Sequence, residues 1–254
     1  ITLDRSLSTS KRVFEYTFKS LSEGRIAVPA AGIEAIPEQL AERARAAGAS
    51  IRCDEPVESI ADHGDGVTVD RPSGRVDADA VVVATDPKEA KRLTDVDTIP
   101  TDARGCVTQY YRLPEDAAPK TRRKLLLNAR DPSPNTVVPM SEVAPEYAPD
   151  GEALLNATFL GASAQERDAD ALAEETRLTL SAWYPEREFS ALELLDTHRI
   201  EFAQFDQPPG VHDDLPSPRA PGGRTYLAGD YTAWSAIQGA MRSGREAADA
   251  VLQD

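Results

Sequence analysis

Apolar positions change their period several times along this chain, and the changes mark its elements. Val13, Phe14, Thr17, Phe18 and Leu21 recur at helical spacing and predict an amphipathic helix over residues 12–21. Residues 26–29 form a brief extended run, a turn follows at 31–34, and a second helix opens near Pro37 and stops at Gly48. Period-two runs then predict strands at 49–53, 57–60 and 67–69, the last two joined as a hairpin by His63-Gly64-Asp65-Gly66. The unbroken apolar run at 80–84 is the pattern of a parallel strand buried on both faces. From about residue 99 the character shifts. Strands at 106–111, 124–127 and 153–159 are separated by proline-rich connections at 131–134 and 144–149, and a helix spans 165–183 with Leu172, Thr176, Leu180 and Trp183 on one face. That combination predicts an antiparallel α+β unit. The chain ends with a short strand at 225–228, the turn Gly229-Asp230, and a long amphipathic helix from Ile237.

That helix carries Gly239 and Gly244 in its interior, each costing about 1 kcal/mol relative to Ala. The costs point to a close approach to the backbone, by a ligand or by the sheet against which the glycines pack. A strand, an acid at the mouth of a loop, and a helix N-terminus with free N–H groups together make a site for an electron-rich ligand.

Composition narrows the picture. The 254 residues suffice for one large domain or two small ones. Formal net charge is −15, with 43 acidic and 28 basic residues, only six of them Lys. The acids are scattered rather than blocked, which favours surface solvation, as in a cytoplasmic protein of a high-salt organism, over recognition of a cationic partner. The same charge argues against nucleic acid. There is no apolar run long enough to span a membrane. Cys53 and Cys106 lack metal-ligand or redox spacing, and His63, His198 and His212 are scattered, so no metal site is predicted. Cys53, alternating with Ile51 and Ala49, reads as core packing.

The terminal string is more specific than its parts. Gly229-Asp230, Ser235, Gly239-Ala240 and Ser243-Gly244-Arg245 with Ala247-Ala248 resemble the C-terminal flavin-binding signature of the FAD-dependent amine oxidase and phytoene desaturase superfamily, which includes protoporphyrinogen oxidase-like proteins. Two further blocks are similar to that superfamily. Residues 29–37 resemble its proline–glycine–helix segment, with Ala31 where the first glycine of a pair usually stands, and residues 57–60 and 78–87 resemble its adenosine-side strands. The resemblance implies FAD as cofactor. It gives Asp230 a role at the ribityl-pyrophosphate and the backbone of Ile237, Gln238, Gly239 and Ala240 a role facing the flavin. It counts Gly229 and Ser235 among the cofactor-binding residues, and puts Val57 at the adenine edge and Ala84 and Thr85 near the adenosine-pyrophosphate. Read alone, either strand block is more often core than cofactor site; in this order, with the terminal motif, the cofactor reading is favoured.

The implied fold is α/β with an α+β insert. A partial FAD/NAD(P)-binding Rossmann-like domain comprises residues 1–98 and 208–254, and an antiparallel-sheet substrate domain comprises 99–207. Tyr110, Tyr111, Arg112 and Gln204 are candidates to line the substrate cavity, or are ordinary strand residues. No catalytic residue stands out. The Gly-x-Gly-x-x-Gly loop that cradles the pyrophosphate in this superfamily is missing from the chain. The expectation is therefore the C-terminal portion of a flavin-dependent oxidoreductase acting on a small molecule or polyprenoid, completed by a second copy or a companion N-terminal chain. A scaffold domain that keeps the fold without cofactor is the alternative.

Overall fold

The computed structural model describes residues 2–4, 6–129 and 133–254. Asp131 and Pro132 of the proline-rich connection lie outside the described residues. Helix α1 (Lys11–Glu23) starts at Ser10, whose hydroxyl accepts the N–H of Arg12, and α2 (Ala35–Ala46) is followed by Gly48 at φ +97°. Gly32, at φ +90°, supplies the left-handed turn ahead of α2 that a side chain would strain.

The expected strand at 49–53 does not form. Among the described residues the segment has no strand partner, and Cys53 is exposed rather than in the core. Ile51 and Cys53 have β-propensity, but an extended segment is a strand only where a neighbour takes its N–H and C=O groups. The hairpin does form, from β1 (Ser59–Asp62) and β2 (Val67–Arg71), and β3 (Gly74–Ala78) extends it into a three-stranded antiparallel sheet. The apolar run becomes β4 (Val81–Val83), followed by α3 (Pro87–Thr94), which Asp86 caps by accepting the N–H groups of Lys88 and Glu89.

Next, β5 (Ala103–Pro114), β6 (Leu126–Leu127), β7 (Thr136–Pro139), β8 (Glu152–Leu160) and β9 (Glu193–Phe205) build a five-stranded sheet in the order β6-β7-β8-β5-β9. All its pairings are antiparallel. A short α4 (Met140–Val143) follows β7. The predicted helix at 165–183 is two, α5 (Ala162–Glu166) and α6 (Ala169–Trp183), divided where Asp168 turns to cap the second. Leu172, Thr176 and Leu180 of α6 are buried over Val107, Tyr111, Leu113, Leu155 and Phe159 of the central strands.

A one-turn α7 (Val211–Asp214) leads to β10 (Thr225–Leu227) and the terminal α8 (Ile237–Gln253). Strand β10 lies parallel to β4, Thr225 opposite Val81 and Leu227 opposite Val83. The β4 run is parallel as predicted but not buried on both faces, since Val82 is 40% exposed. Among the described residues this sheet has two strands, and its covered face packs Val83 and Leu227 with Ala90, Ile99, Phe205 and Tyr231. The fold is thus mixed α/β with antiparallel sheets. Among the described residues no helix is long and apolar enough to cross a membrane.

Candidate functional site

Both parallel strands run toward the same end, where the chain leaves β4 through Ala84-Thr85 and β10 through Gly229-Asp230. The exits of parallel strands are the usual place for a ligand in such sheets. Ala228 N–H donates to the Val83 carbonyl and extends the ladder by one bond. Gly229 N–H donates to the buried Ser243 hydroxyl at 2.8 Å, which in turn donates to the Ala240 carbonyl, so the strand exit is tied to the first turns of α8. Ala84 and Thr85 are exposed at this end.

Asp230 is half-buried at the start of a short 3-10 turn, and its carboxylate accepts the Ser235 hydroxyl at 3.2 Å. Burial raises its pKa above the ordinary carboxylate value, against the opposing effect of the bonds from Ser235 and the Tyr231 N–H. Helix α8 begins after Ala236 without a side-chain cap, and its first intrahelical bond runs from the Ala240 N–H to the Ala236 carbonyl. The N–H groups of Ile237, Gln238 and Gly239 therefore have no intrahelical acceptor, and the helix dipole adds positive potential there.

Gly239 is explained by the molecule itself. A Cβ there would lie 1.8 Å from the Trp234 carbonyl oxygen, so the close approach read from the sequence is by backbone rather than ligand. At Gly244 nothing lies within 4 Å of an added Cβ, and the expected close approach is absent.

The remaining candidates are dispersed. Val57 is half-buried on the segment entering β1, and its carbonyl accepts Arg92 of α3 at 3.0 Å. Tyr111 is a correction. It is 0% exposed in the core under α6, its hydroxyl hydrogen-bonded to Thr176 at 3.0 Å and to the side-chain oxygen of Gln109, and burial pushes its pKa up to about 12. Strand alternation sends its neighbours Tyr110 and Arg112 to the opposite face. There Tyr110 meets the ring of His198 edge-on at 5.7 Å, and Arg112 pairs with Glu193. Gln204 sits opposite Arg104, six β5 positions before Tyr110 and so about 20 Å away along the strand. The four do not converge.

Sequence reasoning missed an aromatic cluster beside the Asp230 loop. The Trp234 ring stacks on His212 of α7 at 4.2 Å between centroids and meets Tyr16 of α1 at 4.5 Å. Nothing in the local pattern announces it, because the three residues come from segments far apart in sequence.

The donor set fits a flavin dinucleotide at its ring end. Unpaired N–H groups suit an electron-rich carbonyl or ring nitrogen, and a carboxylate suits a hydroxyl donor such as a ribityl chain. Among the described residues no group of three or more His, Cys, Asp or Glu is placed to hold a metal ion.

The fold is mixed α/β with antiparallel sheets, and comparison with known proteins gives the family. Over residues 2–252 the chain matches the model of the flavin-containing amine oxidoreductases, and it belongs to that family. The family's cofactor is FAD. Among solved structures it is similar to a provisionally named protoporphyrinogen oxidase from Exiguobacterium sp. 255-15, with TM-score 0.69 and 15% identity over 89% of this chain and 52% of that one. It is also similar to wild-type putrescine oxidase bound to putrescine (TM-score 0.62, 19% identity, 87% and 53%). An oxidoreductase from Methanosarcina mazei is a third (TM-score 0.58, 17% identity, 88% and 55%). The chain spans about half the length of these structures. No curated protein matches the sequence.

Proposed function

We propose that this chain is the flavin-facing part of an FAD-dependent oxidoreductase of the amine oxidase and phytoene desaturase type. One observation carries the reading: in a chain of this family, Asp230 at the β10 exit stands before the uncapped N-terminus of α8. Bound FAD would accept hydride from an organic substrate; the chain's own part is orientation and electrostatics. Asp230 accepts a ribityl hydroxyl, Ser235 fixes that carboxylate, and the N–H groups of Ile237, Gln238 and Gly239 face the ring. Ala84 and Thr85 border the dinucleotide at the β4 exit, and Val57 offers backbone toward the adenine.

Residues 1–98 and 208–254 make up the partial Rossmann-like cofactor domain, and 99–207 the substrate domain. Its open sheet face, with Tyr110, Arg112 and Gln204, borders an amine or polyprenoid substrate. A cradle for the pyrophosphate comes from a polypeptide segment corresponding to the half of the related structures that this chain does not match. The exposed edge at Val82 and the apolar face of α1 pack against that segment or a second copy.

Flavin retention tests this. The protein purified in its natural context should show the oxidised-flavin spectrum, and Asp230→Ala should weaken retention roughly 10- to 100-fold, the effect of losing one charged hydrogen bond. A variant that keeps its full flavin through dialysis would remove the role given to Asp230. The isolated 254 residues should bind FAD weakly or not at all; tight, stoichiometric binding by a monomer would show that the chain holds its own cradle.

A further inference from the structure

His212 is anomalous for a polar side chain. Both ring nitrogens are buried, and among the described residues neither has a hydrogen-bond partner. Buried imidazole usually finds at least one acceptor for its N–H, because leaving it unpaired costs about 1–3 kcal/mol. What His212 has instead is a face: its ring lies 4.2 Å from that of Trp234 and within 21° of parallel.

Trp234 is the residue through which the rest of the site is held. Its carbonyl abuts the first turn of α8 at Gly239 and accepts the Ala236 N–H at 2.7 Å. Its neighbour Ser235 donates to Asp230. Tyr16 meets the same indole from α1. Fixing the indole therefore fixes the 233–236 segment, and with it the acid and the free N–H groups.

We infer that His212 is a positioning residue: stacked on Trp234 as the neutral imidazole, it holds the Trp234-Ser235 dipeptide in place, and protonation releases the loop before α8. The inference rests on the flavin reading only for what the loop binds.

Electrostatics agree with the geometry. The charged groups facing His212 are Arg12 of α1 and Asp213 of its own helix, and these pair with each other at 2.7 Å. The 233–236 segment carries no charge. An imidazolium here would be a buried cation with no hydrogen-bond acceptor, so burial first, and Arg12 second, lower the pKa against the pull of Asp213 and the attraction of the indole face. The sign follows. Unfolded chain binds the proton more readily, so the stabilisation is complete above the ordinary histidine value of about 6.5 and is lost as pH falls through the lower folded value.

Emission of Trp234 reads the stack directly. Trp183 is the chain's other tryptophan, so a Trp183→Phe background isolates the signal. Scanning downward from neutral pH until the chain unfolds, we expect one emission transition below the ordinary histidine value of about 6.5, with circular dichroism unchanged across it. Asp230 titrates from the same loop, and His212→Phe separates the two: it keeps a flat ring over the indole but takes up no proton, so the transition should vanish. His212→Gln serves if the Phe variant does not fold. Hydrogen exchange at the Ala240 N–H should accelerate at least tenfold across the transition in the parent and stay flat in the variant. A flat emission profile, or a transition retained in both variants, would refute the stack as the titrating unit. Emission that changes without Ala240 exchange would refute the positioning role. FAD affinity, measured in the complete flavoprotein at the same pH values, should fall at least tenfold in step. If no flavin binds at any pH, the flavin reading fails while emission and exchange still decide the role of His212.

Discussion

Gly239 and Gly244 look alike in the sequence, two glycines inside one helix, and the structure makes them opposites. At Gly239 an added Cβ meets a backbone oxygen that cannot step aside, the Trp234 carbonyl; at Gly244 it meets open space. Gly239→Ala should therefore destabilise the chain by about 1–3 kcal/mol, the range for overpacking, although Ala is the better helix former. Gly244→Ala should stabilise it by about 0.5–1 kcal/mol. Thermal unfolding of the two single variants checks both signs, and shifts in the same direction would contradict the assignment. Asp230 carries a different tension. Its raised pKa, caused first by burial, means that folding favours the protonated acid. Its stabilising contribution is complete below the unfolded value of about 3.8 and is lost as pH rises through the folded value. Asp230→Asn should then raise the unfolding temperature of flavin-free chain at neutral pH and lose that advantage in acid, while weakening flavin retention. Such a residue suits a ligand that brings its own hydrogen bond donor.

At the scale of elements, legibility followed burial. Strands β5 and β8 and the buried face of α6 were readable because one side of each is packed, which enforces a regular apolar period. The β1–β2 hairpin, only partly buried, was readable instead from its turn. Strand β9, the longest, was not. It pairs along β5 at the border of the sheet, and Asp196, His198, Arg199 and Glu201 break its apolar alternation. Charges on a border strand discourage pairing with another chain, so the feature that hid the strand fits its position. Helix α3 carries its start signal in Asp86-Pro87 and Glu89, which overlap the stretch that resembles a cofactor motif. Tyr111 shows how alternation misleads when a pair of like residues is read as one patch. Only Tyr110 faces outward; Tyr111 hydrogen-bonds Gln109 and Thr176 inside. Tyr111→Phe should cost about 1–2 kcal/mol of stability, because it leaves buried Gln109 and Thr176 with a lost partner. Flavin affinity should not change, and a selective loss of affinity at unchanged stability would return Tyr111 to the site.

For the whole molecule, the surplus of acids sets how stability answers to salt. Net charge is −15, and the ion pairs that offset it, such as Arg12–Asp213 and Arg112–Glu193, lie on or near the surface. Two effects of salt oppose each other. Screening weakens those pairs, each worth about 0–1 kcal/mol, and it also relieves repulsion among the excess carboxylates. The Debye length falls from about 30 Å at 0.01 M to about 3 Å at 1 M, so the long-range repulsion over the whole surface is removed while the short contacts are only reduced. Repulsion should dominate, and the unfolding temperature should rise from dilute buffer to molar potassium chloride. Self-association competes as an explanation. The apolar face of α1 exposes Phe14 (69%) and Phe18 (64%), and copies that no longer repel can meet there. Protein concentration separates the two causes. A gain from screening is the same at every concentration, whereas a gain from association grows with it and appears in light scattering. An unfolding temperature that is equal or higher in dilute buffer would show that the acids are already balanced in the fold and that their excess is not what limits its stability.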